Sequence, residues 1–144
     1  MPKFDVELNE AWWALRAGLG GGLIVAGTDK FFNLLTDWSM YLSAVATKIV
    51  PVKGATFMHA VGIIEILLGA LLLTRWTRIA SLAVIFWLAA IVANLTITGM
   101  FYDLAMRDTE LAIGGFALFQ LTVVREKSLR TSSQNESSHP AVGG

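Results

Sequence analysis

Residues 55–73, ATFMHAVGIIEILLGALLL, form an apolar stretch of 19 residues that contains one acidic side chain, Glu65, and one histidine, His59. At 1.5 Å per residue, a helix of this length crosses a hydrocarbon core about 30 Å thick. Residues 79–97 are equally long and carry no charge. Both stretches therefore predict membrane-spanning helices.

Two further apolar stretches lie outside this pair. The first, residues 11–35, is long enough to span but is interrupted by Arg16, Asp29 and Lys30. The last, residues 111–124, measures only about 21 Å as a helix, so we expect that helix to begin earlier, between Asp103 and Asp108. The predicted fold is all-α: a four-helix transmembrane bundle over residues 11–125 of an integral membrane protein.

Composition supports the membrane assignment. Of the 144 residues, 55% are hydrophobic and 15% are charged, and the mean hydropathy is +0.61. Ordinary soluble domains carry about 25% charged residues, so a small soluble fold and extensive disorder are both excluded. The net charge of zero gives no field to attract nucleic acid. The absence of cysteine excludes a thiolate nucleophile, a Cys-ligated cluster and covalently attached haem.

The two ends of the chain are polar. The charged residues among residues 1–10 are mostly acidic, which argues against a cleaved signal peptide. We expect residues 1–10 to form a cytoplasmic segment. Residues 126–144, including His139, predict a disordered tail. Basic residues are more numerous on the side of the membrane that holds the termini than on the opposite side. This excess predicts that both termini are inside the cell. The residues on the terminal side are Lys3, Arg75, Arg78, Arg125, Lys127 and Arg130, against Lys48, Lys53 and Arg107, with Lys30 close to the latter. Aromatic belts agree, with Trp12, Trp13 and Trp76 inside and Trp38, Tyr41, Phe101 and Tyr102 outside.

The connection at residues 36–54 has a pattern of its own. Asp37 is a suitable cap for a short helix that Pro51 would end. Its apolar residues recur every three to four positions: Trp38, Leu42, Val45 and Ile49. A short interfacial helix is therefore predicted, either as a lid over the bundle or as a connection that rests its apolar side on lipid.

Ionisable residues inside a membrane helix need a partner. Gly62 and Gly69 share the helix face of Glu65, and the first stretch offers a matching GxxxG at Gly18 and Gly22, so these helices should approach closely. Counted from the inner ends, Arg16 lies about 6–9 Å deep and Glu65 about 12 Å deep. We therefore expect a buried Arg16–Glu65 ion pair, which either fixes register or borders a polar cavity.

A second group of polar residues converges at the outer ends of the helices, beneath the expected short helix. This arrangement is typical of a membrane pocket for a ligand such as a quinone. Pairing of Arg107 with Asp103 or Glu110 is the alternative explanation. No spacing resembles a metal site, and Phe86 and Trp87 are interpreted as packing residues. The candidate pocket residues are Asp29, Lys30, His59, Asn94, Tyr102, Asp103, Arg107 and Asp108.

Over residues 14–122 the sequence resembles the DoxX family and its DoxD relatives, four-helix membrane proteins of bacteria and archaea. The motifs that carry the resemblance are AGTDKFFNLL, GIIEILLGALLL, RWTR, WLAAIVANL and YDLAMRDTELAIGGFAL, in this order. The resemblance implies a prokaryotic inner-membrane location and an association with redox complexes that pass electrons to quinone.

Three functions fit these observations. The first is a quinone-interacting or accessory subunit of a membrane redox complex, with the electron carriers in a partner protein. The second is a non-enzymatic membrane module that binds a lipid or small solute or anchors a partner. The third is a small-solute transporter, which would require a homo-oligomer. A pocket that reaches from the lipid to His59 and Asn94 favours the first, and polar residues paired among themselves favour the second.

Overall fold

A computed structural model describes residues 4–138, and all regular structure in this range is helical. Four long helices and a short intervening pair confirm the predicted all-α fold and the short helix in the first connection. The elements are α1 Phe4–Phe32, a 3-10 helix Trp38–Tyr41, α2 Ala44–Ile49, α3 Gly54–Leu72, α4 Thr77–Thr98 and α5 Tyr102–Ser138.

Local sequence sets the ends of these helices. Asp37 accepts a hydrogen bond from Ser39 N at 3.1 Å and begins the 3-10 helix, and Ser43 caps α2 through Ala46 N at 3.1 Å. Gly99 ends α4 in the left-handed conformation, with φ of 76°, which glycine adopts without a steric penalty. Short connections of four and three residues join α3 to α4 and α4 to α5, whereas residues 33–53 connect α1 to α3.

Helix α1 packs mainly against α3, and α4 packs mainly against α5. The α1–α3 contact is made by glycines seven residues apart on each helix. A Cβ added at Gly62 would lie 2.6 Å from Gly27 O, and one added at Gly69 would lie 2.6 Å from Gly20 O. The predicted close approach is therefore confirmed, but its partner on α1 is wrong, because Gly18 and Gly22 have no atom within 4 Å of an added Cβ.

The distribution of apolar side chains is inverted relative to a soluble bundle. A small core includes Trp12, Leu72, Val84 and Leu118, yet charged groups are buried as well. Large apolar side chains point outward on all four long helices; Val25 is 61% exposed, Leu67 62%, Phe86 75% and Ile113 63%. An apolar exterior of this extent needs lipid to cover it.

Two helices, α3 and α4, are long and apolar enough to cross a membrane. Within residues 4–138, α1 and α5 do not meet the same test. The predicted four spans are thus found as four long helices, of which two qualify by length and composition.

The polar C-terminal segment differs from the expectation. Helix α5 runs to Ser138, so the prediction of disorder is wrong for residues 126–138. These residues contain neither glycine nor proline to stop the helix, and Arg78 holds Glu126 at 3.4 Å. His139 and residues 140–144 lie outside the described residues, whereas residues 4–10 belong to α1.

Candidate functional site

A cavity of about 690 Å³ lies between the α1–α3 pair and the α4–α5 pair. Its walls are mostly apolar, with Leu23, Val61 and Leu88 among the lining residues. Helices α1 and α5 touch nearer the chain termini, where Trp12 Nε1 donates to Thr122 Oγ1 at 2.8 Å. Farther from the termini the two helices separate.

Several exposed lining residues mark where the cavity opens. On α1 they are Gly18, Gly22 and Val25, and on α5 they include Leu111, which is 40% exposed. These residues lie on either side of the gap between α1 and α5. The opening therefore lies on the side of the bundle, among its exposed apolar residues. We call this cavity the lateral cavity.

The 3-10 helix and α2 cover the end of the cavity that lies away from the termini. Trp38, Tyr41, Leu42 and Ala46 belong to its lining. Asn94 on α4 fastens this segment, because its Nδ2 donates to Tyr41 O at 2.8 Å and its Oδ1 accepts from Ser43 N at 3.2 Å. Of the two interpretations of residues 36–54, the structure favours the lid.

Glu65 forms its ion pair with Lys30 and not with Arg16. Lys30 Nζ lies 2.6 Å from Glu65 Oε2, and each side chain is only 5% exposed. Lys30 Nζ also lies 3.7 Å from the centre of the Trp38 ring in the lid. The pair borders the cavity. Because Lys30 contacts both Glu65 and Trp38, it connects α1, α3 and the lid.

The predicted Arg16–Glu65 pair is wrong because of side-chain direction. Helical side chains lean toward the N-terminus of their own helix. In the antiparallel α1–α3 pair, Lys30 and Glu65 lean toward each other, whereas Arg16 leans away from Glu65. The prediction compares only the depths of the two residues along the helix axes, and depth does not account for the direction of the side chain.

Arg16 instead closes the C-terminal end of α3. Its Nε donates to Leu72 O at 2.7 Å and its Nη2 to Thr74 O at 2.6 Å. The guanidinium lies 4.6 Å from the ring centres of both Trp12 and Trp13. A cation at this end also complements the helix dipole, so the role of Arg16 is structural.

Asp29 is buried behind the cavity wall and joins α1 to the lid. Its carboxylate accepts hydrogen bonds from Trp38 Nε1 at 2.7 Å and from the backbone nitrogens of Leu34 and Leu35 at 3.1–3.2 Å. It is therefore fully occupied as a structural acceptor and is not part of the lining.

Arg107 and Asp108 line the cavity on α5. Arg107 Nη2 lies 3.1 Å from Asp108 Oδ1; the Arg107 side chain is 58% exposed and that of Asp108 is 8% exposed. The alternative pairings of Arg107 with Asp103 and with Glu110 do not form. Arg107 pairs instead with Asp108, the next residue in the sequence. The Asp108 carboxylate is buried, whereas much of the Arg107 side chain is exposed.

The remaining predicted pocket residues lie outside. His59 is exposed and stacks on Phe31 with ring centres 4.9 Å apart. Tyr102 is 58% exposed, and Asp103 is exposed at the start of α5. The structure thus brings together Lys30, Asn94, Arg107 and Asp108 from the predicted set, and adds Glu65.

The sequence interpretation missed two features of the cavity. Trp87 lines it with its buried Nε1 facing the Glu65 carboxylate, at a geometry short of a regular hydrogen bond to any group within the described residues. Gly18 and Gly22 provide the space along α1. Phe86, also interpreted as packing, points outward. The i, i+3, i+7 spacing of Val84, Trp87 and Ile91 could have indicated that Trp87 faces inward.

The described residues contain no group of three or more histidine or acidic side chains arranged to hold a metal ion. The cavity instead offers a long apolar surface, two ion pairs and the indole N–H of Trp87 beside the Glu65 carboxylate. This chemistry suits an apolar molecule that carries a hydrogen-bond acceptor at one end.

Comparison with known proteins gives one match. The model of the DoxX family matches residues 11–99, which include most of α1, the lid, α3 and α4. No curated protein and no solved structure matches the chain.

Proposed function

Since the chain belongs to the DoxX family, we propose that this membrane protein spans the inner membrane of a prokaryote with all four long helices and binds a quinone in the lateral cavity. Electrons reach that quinone from a partner protein, because a chain without cysteine offers no thiolate ligands for a cluster. In this proposal the protein is an accessory subunit of a redox complex. Its termini face the cytoplasm, on the side with more basic residues.

Outward-facing apolar residues on α1 and α5 support four spans. Val25 on α1 and Ile113 on α5 are as exposed as Leu67 on α3. The charged residues in the apolar part of α1, Arg16, Asp29 and Lys30, are all buried, as is Asp108 on α5, whereas the exposed charges of both helices lie near their ends. Charges that face a bundle interior are compatible with a spanning helix.

The cavity is the observation that carries the ligand proposal. Its volume of about 690 Å³ is suited to a small molecule, and its opening between α1 and α5 gives a path from the lipid. A quinone has an apolar tail and carbonyl oxygens that accept hydrogen bonds. The Trp87 N–H, which lies beside Glu65 without a regular hydrogen bond, is a donor for such an oxygen.

A second function is favoured by the pairing of the charges. Lys30 is occupied by Glu65, and Arg107 by Asp108, so no charged group in the cavity is left free to transfer a proton. This arrangement fits a non-enzymatic module that binds a lipid. The two functions differ in whether a quinone carbonyl is recognised.

Filling the cavity should abolish quinone binding. Gly22→Leu places a side chain in the lining, where an added Cβ meets no atom within 4 Å, so the helix packing is preserved. In lipid nanodiscs, a short-chain quinone should raise the melting temperature of the wild type saturably. We expect the apparent affinity of the Gly22→Leu variant to fall by tenfold or more.

Gly21→Leu is the matched control, because an added Cβ there also meets no atom within 4 Å and Gly21 is not part of the lining. This variant should bind as the wild type does. Equal binding by both variants would place the ligand elsewhere. A saturable response to a phospholipid but not to quinone would support the non-enzymatic module.

Trp87→Phe tests recognition of the carbonyl oxygen. The variant keeps an aromatic ring but removes the N–H donor, so quinone affinity should fall about two- to tenfold, as for one neutral hydrogen bond. A ring analogue without carbonyl groups should bind both proteins alike. If the variant loses the analogue to the same extent, Trp87 contributes packing and not a hydrogen bond.

A further inference from the structure

A second, smaller cavity lies at the end of the bundle nearer the chain termini. It lies between residues 8–12 of α1 and residues 121–129 of α5. Its volume is about 260 Å³. The polar residues in its lining are Asn9, Arg125 and Ser128, and the apolar part includes Trp12, Leu121 and Leu129. It is separate from the lateral cavity and shares no lining residue with it.

Arg125 has no acidic partner among the described residues. Its Nε donates to Asn9 Oδ1 at 3.1 Å, and its guanidinium lies 4.4 Å from the Trp12 ring centre. The adjacent carboxylate, Glu126, is held by Arg78 instead. The terminal nitrogens of Arg125 therefore remain available to an anion.

Trp12 lies between two cations. Arg16 contacts its ring at 4.6 Å as well, and among residues 6–134, whose side chains the structure describes, neither Arg16 nor Arg125 has a carboxylate within 4 Å. Arg16 is bound to backbone carbonyls, which leave its net charge uncompensated. Two positive charges at one buried ring create a local demand for a negative group.

The setting of this cavity resembles the boundary between lipid headgroups and acyl chains. Arg125, Ser128 and Asn9 supply the polar groups, while Leu121, one turn from Arg125 toward the apolar part of α5, supplies an apolar surface. Guanidinium groups recognise phosphate oxygens through paired hydrogen bonds. Basic pockets between helices near the membrane surface recognise anionic headgroups.

We propose that this cavity, the Arg125 site, binds the phosphate of an anionic phospholipid. The phosphate contacts Arg125 and the Ser128 hydroxyl, Asn9 orients the guanidinium, and an acyl chain extends toward the apolar part of α5 past Leu121. The proposal goes beyond quinone binding and does not depend on the lateral cavity. A free phosphate ion shares the headgroup chemistry but lacks the apolar contacts.

Native mass spectrometry of the purified protein tests the site, with phosphatidylglycerol and phosphatidylcholine added in equal amounts. The wild type should retain phosphatidylglycerol in preference to phosphatidylcholine, and Arg125→Gln should reduce that preference about fivefold, as for one cation at a membrane surface. Arg130→Gln removes the same charge from an exposed position on the same helix and should leave the preference unchanged.

Ser128→Ala removes one hydroxyl and should weaken phosphatidylglycerol retention in a protein that folds normally, even if Arg125→Gln is unstable. Inorganic phosphate is the third probe. If it displaces phosphatidylglycerol at millimolar concentration, the ligand is the phosphate ion and the lipid assignment is overturned. Equal retention of both lipids by the wild type, or equal loss of preference in Arg125→Gln and Arg130→Gln, contradicts the site.

Discussion

Glu65→Ala should lower the free energy of unfolding by about 3–5 kcal/mol, the range for removing one partner of a buried ion pair. The variant leaves the Lys30 ammonium 5% exposed between α1, α3 and the lid, with only the Trp38 ring as a favourable contact. Unfolding in mixed detergent micelles, followed by circular dichroism, measures the loss.

The double variant Lys30→Met, Glu65→Leu separates the charge from the contact. Because an apolar pair of similar size often replaces a buried ion pair without a loss of stability, the double variant should be within about 1 kcal/mol of the wild type. A Glu65→Ala protein that unfolds like the wild type would contradict the pairing. A double variant as unstable as Glu65→Ala would show that the side chains matter for shape and not for charge.

Gly62→Ala should destabilise the protein by about 1–3 kcal/mol, as for overpacking of a tight contact. The new methyl group would lie 2.6 Å from the Gly27 carbonyl oxygen and 3.2 Å from Lys30 Cβ, so α1 and α3 must separate. The same unfolding measurement applies. A loss of the Lys30–Glu65 contact should accompany this separation.

Gly21→Ala is the control with the opposite sign. Its new methyl group meets no atom within 4 Å, and alanine favours a helix over glycine by up to about 1 kcal/mol. The control should therefore be neutral or stabilising. If both alanine variants are stabilising, α1 and α3 do not approach through Gly27 and Gly62.

The helices were predictable because their signals are local. The apolar stretches at residues 55–73 and 79–97 reappear as α3 and α4 with ends shifted by at most two residues. The lid begins at Asp37, as its capping chemistry indicates. Even the use of glycine at the α1–α3 contact follows from composition.

Pairings between helices were less predictable, because they depend on rotation and side-chain direction. Gly18 and Gly22 form the expected motif, but helix rotation turns them to the lateral cavity and leaves the contact to Gly20 and Gly27. His59 was expected in the pocket, although it faces outward on Phe31. Residue depth alone does not distinguish an inward from an outward side chain.

Trp87 shows the same difficulty in reverse. An aromatic residue in an apolar helix is usually a packing residue, and only the assembled bundle reveals that its N–H faces the Glu65 carboxylate in the cavity. The C-terminal part of α5 is a related case. Glu126, which a composition argument treats as tail, contacts Arg78, and Arg125 just before it contacts Asn9, so both hold α5 against the bundle.

Photolabelling tests the lateral cavity as a quinone site most directly. A photoreactive short-chain quinone is added to the protein in nanodiscs, illuminated, and located by mass spectrometry of the digested chain. Labels should fall on the lining segments 18–26, 87–95 and 104–111, be competed by unlabelled quinone, and disappear in the Gly22→Leu variant. Labels confined to outward residues such as Phe86, or unchanged by Gly22→Leu, would contradict a ligand in this cavity.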